Sequence, residues 1–224
     1  MLVWGKISRR IPPRLAAAVS ARDHDEMDSG VIGLARPQRG HFDLGTGFHG
    51  DVWLDLDALF LRPSLLRPYV SMLGDRLREH RIDAVRGPME GGALLAHAIA
   101  DRLGVAFLAA YRAPGQQGKQ QGSAPAYRLP GVPGGIGEWR VAIADDAVNA
   151  GTAVRACAGL LLSRGAVPVA VAALLSLGPA GAAVAEGISV PLYAAGTIQS
   201  QAWPAAECPL CAGDVPFTEP PPPG

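Results

Sequence analysis

Two adjacent aspartates close an apolar run in this chain, and a small-residue turn and a helix start follow at once. They lie in residues 141–155, VAIADDAVNAGTAVR, where Asn149, Ala150, Gly151, Thr152 and Ala153 lead from Asp145 and Asp146 into an apolar helical pattern. Open α/β sheets gather ligands at the carboxyl ends of their strands, which is where this spacing sets the acids. Ala150 and Gly151 let the main chain approach an anion, Thr152 adds a hydroxyl donor, and the helix dipole favours negative charge there. Carboxylates beside such a cradle repel phosphate itself, so they suit sugar hydroxyls or a nearby Mg²⁺. A phosphorylated ribose meets both demands. The plainer alternative is that the acids end a strand and cap a helix, but a cap needs only one of them.

A second segment, Arg86-Gly87-Pro88-Met89-Glu90-Gly91-Gly92, ends the preceding strand candidate. Gly91 and Gly92 permit main-chain amides to face an anion, and Glu90 can act through Mg²⁺ or solvent; a Gly-Pro turn of this kind is also common structural punctuation. Near the C-terminus, Cys208-Pro209-Leu210-Cys211 has the spacing of half a tetrahedral zinc site. Its other ligands have to come from histidines or from a second subunit, and two unmetallated thiols are the plainer reading. A redox role lacks the strand-to-helix context it needs.

The elements that must position these residues alternate strand and helix. Residues 63–81 place Leu65, Leu66, Tyr69, Val70, Leu73 and Leu77 on one helical face with Pro63 at its start. Residues 83–86 read as a strand, 93–103 as a helix stopped by Gly104, and 105–111 as a strand, a unit that calls for a parallel crossover. Strands at 139–144, 167–177 and 190–195 and a helix at 152–164 continue the order, so the fold class is α/β. Residues 40–60 read as a strand or hairpin and 14–22 as a short helix. Residues 113–137 hold seven glycines, four prolines and four glutamines, a long loop suited to an active-site flap. The division expected is an extension at 1–30, a hood at 31–62, the main domain at 63–200 and a poorly packed Cys/Pro tail at 201–224.

Composition narrows the function classes. The 224 residues carry 20 basic and 20 acidic side chains, so no overall field draws nucleic acid or a membrane surface. The longest apolar stretch, 166–177, is too short for a bilayer, and a cytoplasmic location is expected. Cys157, Cys208 and Cys211 are too few for a disulfide framework. Lys6 and Lys119 are the only lysines, which restricts any lysine-dependent chemistry.

Residues 141–155 resemble the motif by which type I phosphoribosyltransferases bind 5-phosphoribosyl-1-pyrophosphate (PRPP), and the ending Ala-Gly-Thr-Ala-Val-Arg is similar to the orotate branch of that family. The resemblance covers about residues 40–198 and implies a parallel sheet flanked by helices, with a small N-terminal hood and a long flexible loop. It implies that Asp145 and Asp146 hold the ribose diol and that Asn149, Ala150, Gly151, Thr152 and Ala153 hold the 5-phosphate, with Asn149 where the family commonly has threonine. By the same resemblance Gly87, Glu90, Gly91, Gly92 and Arg112 contact pyrophosphate, Arg155 and Trp53 contact the base, and Lys119 with Arg112 acts at the leaving group. Gly45 stands where the better-known enzymes carry a lysine. His41 and His49 read as loop histidines. The activity implied is a Mg²⁺-dependent glycosyltransferase reaction of pyrimidine biosynthesis, from PRPP and a pyrimidine-type base, orotate above all, in a homodimer. The shortage of lysines keeps two alternatives: another base or a specialised-metabolite acceptor, and a non-catalytic PRPP-binding regulator.

Overall fold

The computed structural model describes residues 29–45, 47–113 and 127–220. The expected helix at 14–22 and Lys119 lie outside the described residues. Residues 29–34 form a short helix, α1. After it come β1 (Gln38–Asp43), β2 (Phe48–Trp53), a 3₁₀ turn (Asp57–Phe60), α2 (Pro63–Arg78), β3 (Ala84–Pro88), α3 (Gly91–Leu103), β4 (Ala106–Arg112) and β5 (Tyr127–Arg128). The second half contains β6 (Arg140–Val148), α4 (Thr152–Leu162), β7 (Val167–Leu177), α5 (Gly178–Gly187), β8 (Leu192–Ile198), β9 (Ala202–Pro204), a 3₁₀ turn (Ala205–Glu207) and α6 (Pro209–Ala212).

Six strands form the main sheet in the order β5-β4-β3-β6-β7-β8. β4, β3, β6, β7 and β8 run parallel, and β5 pairs antiparallel with β4 at one edge. The strands are buried on both faces, which is why they read as continuous apolar runs. Successive side chains still divide between the faces. Ala142, Ala144, Ala170 and Ala172 pack with Leu73, Leu77, Leu95 and Ile99 of α2 and α3. Val141, Ile143, Val171 and Ala173 pack with Val154, Cys157 and Leu161 of α4 and Val184 of α5. Helix α3 stops where Gly104 takes φ +67°, a left-handed conformation that glycine adopts without a Cβ clash.

β1 and β2 form an antiparallel hairpin, and β9 pairs with the free edge of β2 to make a separate three-stranded sheet. Residues 202–218 are largely exposed but are tied to the hairpin. β9 covers an exposed strand edge, Cys208 is buried, and the Thr218 N–H donates to the His41 carbonyl at 2.7 Å. Helix α5 and the short strand β5, which lies within the segment expected as a loop at 113–137, have no counterpart in the elements expected from the sequence. Among the described residues, no helix is long and apolar enough to cross a membrane.

Candidate active site

The carboxyl ends of β3 and β6 bring the two small-residue loops together. β3 and β6 are adjacent, with Arg86 level with Ile143, so the turn after Pro88 and the acids after Ala144 emerge side by side. The glycines of the first loop lie directly on the acids. A Cβ on Gly91 would overlap the Asp146 carboxylate, and one on Gly92 would come within 2.6 Å of Asp145 Oδ1. A Cβ on Gly87 would strike the Gly92 backbone. Glycine is thus required here by close approach of a carboxylate pair. Gly92 is buried beneath Asp145, while Glu90 is exposed at the start of α3. The Met89–Glu90 peptide is cis.

Asp145 is 7% exposed and Asp146 is half-buried. Their backbones lock them in place: the Asp146 N–H donates to Asp145 Oδ1 at 3.2 Å and the Ala147 N–H to Asp146 Oδ1 at 2.7 Å. Burial, then the neighbouring carboxylate, holds Asp145 well above the usual carboxylate range. Burial also raises Asp146, offset in part by the Ala147 N–H, and Asp57 of the first 3₁₀ turn adds to the negative field. Of the two, the more buried Asp145 is the carboxyl whose charged form the fold disfavours more strongly. Neither acid forms a salt bridge with a basic residue among the described residues.

Past the acids, the chain turns through Asn149 and Ala150 into α4. Gly151 takes φ +67° at the N-cap, and no side chain caps the helix, so its first-turn amides are left for solvent or a ligand. Thr152 is exposed beside them. Gly151 has no room for a side chain, because its Cβ would strike Val184 of α5. Arg155 turns back and donates to the Ala150 carbonyl, so its guanidinium braces the turn. Trp53 sits in the hairpin sheet, 6.1 Å between ring centroids from Phe42.

No family model matches the chain. An orotate phosphoribosyltransferase of Carboxydothermus hydrogenoformans is 30% identical over 183 residues, covering 81% of this chain and 88% of that protein. One from Caldanaerobacter subterraneus is 28% identical over 185 residues, covering 81% and 88%. The chain belongs to the orotate phosphoribosyltransferase family. Its relatives make it a glycosyltransferase-type enzyme. Solved structures share the type I phosphoribosyltransferase fold. The orotate phosphoribosyltransferase of Aeropyrum pernix matches with TM-score 0.56 and 21% identity over 76% of this chain and 93% of that one. The adenine phosphoribosyl transferase of Trypanosoma brucei matches with TM-score 0.60 and 17% identity over 76% and 79%.

Two residues near the acid pair, Tyr127 and Arg86, acquire their importance only in three dimensions. Tyr127 of β5 pairs with Arg112 of β4 at the base of the long loop. Its phenol is pushed up to about 12, by burial first and then by Cys157 and Asp145, against the opposing effects of Arg112 and Arg86. Arg112 itself is exposed, and the neighbouring Arg128 guanidinium lies 4.8 Å from the centre of the Tyr111 ring. Arg86 is fully buried, and its guanidinium has no oxygen acceptor among the described residues. The Cys157 thiol lies in its field and within its hydrogen-bonding reach, but a thiol is a weak acceptor. Buried donors left unsatisfied cost about 1–3 kcal/mol each. Arg86→Met is therefore expected to raise the thermal unfolding midpoint of the free protein, a change that calorimetry reads directly. A lower midpoint would mean that the guanidinium has an acceptor.

Proposed function

We propose that the chain transfers the 5-phosphoribosyl group of PRPP to orotate, giving orotidine 5′-phosphate and pyrophosphate. The observation that carries this reading is the contact of Gly91 and Gly92 with the Asp146 and Asp145 carboxylates, beside an uncapped helix N-terminus. PRPP needs three adjoining surfaces, for a diphosphate, for a ribose diol and for a 5-phosphate, and these three features supply them in that order. The 30% identity to a curated orotate phosphoribosyltransferase along most of the chain supports orotate as the acceptor.

In this reading Asp145 and Asp146 accept hydrogen bonds from the ribose hydroxyls. The 5-phosphate sits at Asn149, Ala150, Gly151, Thr152 and Ala153. The turn from Gly87 through Glu90, Gly91 and Gly92, together with Arg112, holds the departing diphosphate. Attack by the base nitrogen at C1 builds positive charge on the ribose and negative charge on the leaving group, so the protein's contribution is mainly orientation and electrostatics. Arg155 and Trp53 flank the base, Arg155 by exchanging the Ala150 carbonyl for the ligand. Lys119 closes over the diphosphate, and the 113–137 loop excludes water.

The donor set also fits Mg²⁺. Asp145 and Asp146 are hard oxygen ligands, Asp145 raised by burial and by the neighbouring carboxylate, Asp146 by burial with Asp57 adding to the field. When bound with PRPP, the ion would neutralise diphosphate charge. The main sheet forms the PRPP-binding domain and residues 31–62 the hood, in a cytoplasmic homodimer.

Arg112→Ala is expected to lower kcat by about tenfold to a hundredfold, while PRPP affinity weakens less. An unchanged kcat removes Arg112 from the leaving-group role. The chain incubated with PRPP, Mg²⁺ and each of orotate, uracil and adenine, with nucleotides separated by chromatography, tests the acceptor. Orotidine 5′-phosphate is the product expected, and a nucleotide formed only from another base reassigns it. Gly45, standing where better-known members carry a lysine, favours one second reading, a PRPP-binding regulator. That reading predicts PRPP binding with no nucleotide from any base.

A further inference from the structure

The hairpin and the C-terminal segment converge on a second constellation, away from the acid pair. His41 of β1, His49 of β2, Cys208 and Cys211 each offer one ligand atom, and these four atoms lie within 4.8 Å of one another. His41 Nε2 is 3.3 Å from His49 Nδ1, 3.5 Å from Cys208 Sγ and 3.7 Å from Cys211 Sγ. Cys211 Sγ is 3.2 Å from His49 Nδ1. A tetrahedral zinc ion with bonds of about 2.3 Å to sulfur and about 2.0 Å to nitrogen sets edges of about 3.3 Å between nitrogens and about 3.5 Å between nitrogen and sulfur. These four spacings lie close to the edges of such a tetrahedron, and the remaining two are within 4.8 Å.

The surroundings are those of a metal site. His41 Nδ1 lies 2.8 Å from the Val215 carbonyl, which can only accept. The proton therefore sits on Nδ1 and leaves Nε2 with a free lone pair, the outer-sphere arrangement that orients metal-bound histidines. Phe217 packs on both imidazoles, with ring centroids 4.2 Å from His41 and 4.9 Å from His49. His41 is 1% exposed and Cys208 3%. Cys208 and Cys211 are both free thiols. Two imidazoles and two thiols thus bring four donor atoms together, and a soft N₂S₂ set selects zinc over Mg²⁺ or Ca²⁺.

We propose that His41, His49, Cys208 and Cys211 bind one Zn²⁺ as a closed structural site. Binding releases one proton from each thiol, and the two thiolates neutralise the ion. All four positions are filled by protein, so the ion has no open place for substrate. It staples residues 208–218 to the hairpin over a sequence separation that no local interaction bridges, and it does so whatever base the phosphoribosyl site accepts.

The test is metal analysis of the full chain after gel filtration, with circular dichroism to verify folding. About one zinc per chain is expected, with cobalt substitution giving the visible bands of a tetrahedral thiolate site. Cys211→Ser and His49→Ala should each lose most of the metal while Cys157→Ser keeps it. Chelation should expose residues 208–218 to limited proteolysis without abolishing PRPP binding. A folded chain that holds no zinc and gives no cobalt–thiolate bands overturns the proposal, as does full zinc retention in both Cys211→Ser and His49→Ala.

Discussion

Asp146→Asn is expected to lower kcat/KM by on the order of a hundredfold to a thousandfold, and Asp145→Asn to do the same while raising the thermal midpoint of the free protein. The two effects have one cause. Asp145 is buried against Asp146, and both factors hold its carboxyl above the ordinary range. A raised carboxyl favours the protonated form in the fold. Its contribution to stability is thus complete below the unfolded value, about 4, and is lost as pH rises toward the folded value. An amide removes that loss, so the Asp145→Asn variant should show a flatter dependence of melting temperature on pH. Sugar hydroxyls and Mg²⁺ prefer the ionised acid, so PRPP binding should release a proton and tighten as pH rises through the same range. Calorimetry of PRPP binding in buffers of different ionisation enthalpy reads that proton. Binding without proton release would mean that the pair is already ionised in the free protein.

Gly151→Val is the second large effect. The residue sits at φ +67° with Val184 where its side chain would go, so the substitution meets both backbone strain and overlap. It should destabilise the fold by about 1–3 kcal/mol and weaken PRPP binding by at least tenfold, because the strain falls on the turn that leads into the first amides of α4. Gly159→Ala, in the same helix with open space around its Cβ, separates the two explanations. It should keep PRPP affinity and gain up to about 1 kcal/mol of stability. Equal loss of binding in both variants would point to a general effect on α4 rather than to the turn.

Much of this arrangement was written locally in the sequence. Strands β3, β6 and β7 are apolar runs because both of their faces are covered, and the acids stand out at the end of one of them. Gly104 marks the end of α3, and the small residues after Asp146 announce a close approach. The remainder depended on information that no short window contains. Helix α5, GPAGAAVAEG, is built of small residues with no apolar period, so it left no helical signature. Ala202–Pro204 became a strand only because β2, far earlier in the chain, offers an open edge, a pairing that no local pattern specifies. His41 and His49 read as loop histidines because their convergence depends on the hairpin register that sets His49 opposite Asp43. Arg86 gave no hint of burial, since arginine is almost never fully enclosed. Arg155 donates to the Ala150 carbonyl, a brace within its own motif that the motif's spacing did not announce.

The central claim is that the acid pair and the two loops beside it carry out phosphoribosyl transfer to orotate. Its most direct test is pyrophosphate release from PRPP and Mg²⁺, with and without orotate, for the natural chain and for Asp146→Asn. Release that requires orotate and falls to background in the variant is the result expected. Measurable PRPP binding with no orotate-dependent release, or release equal in the two proteins, would contradict it.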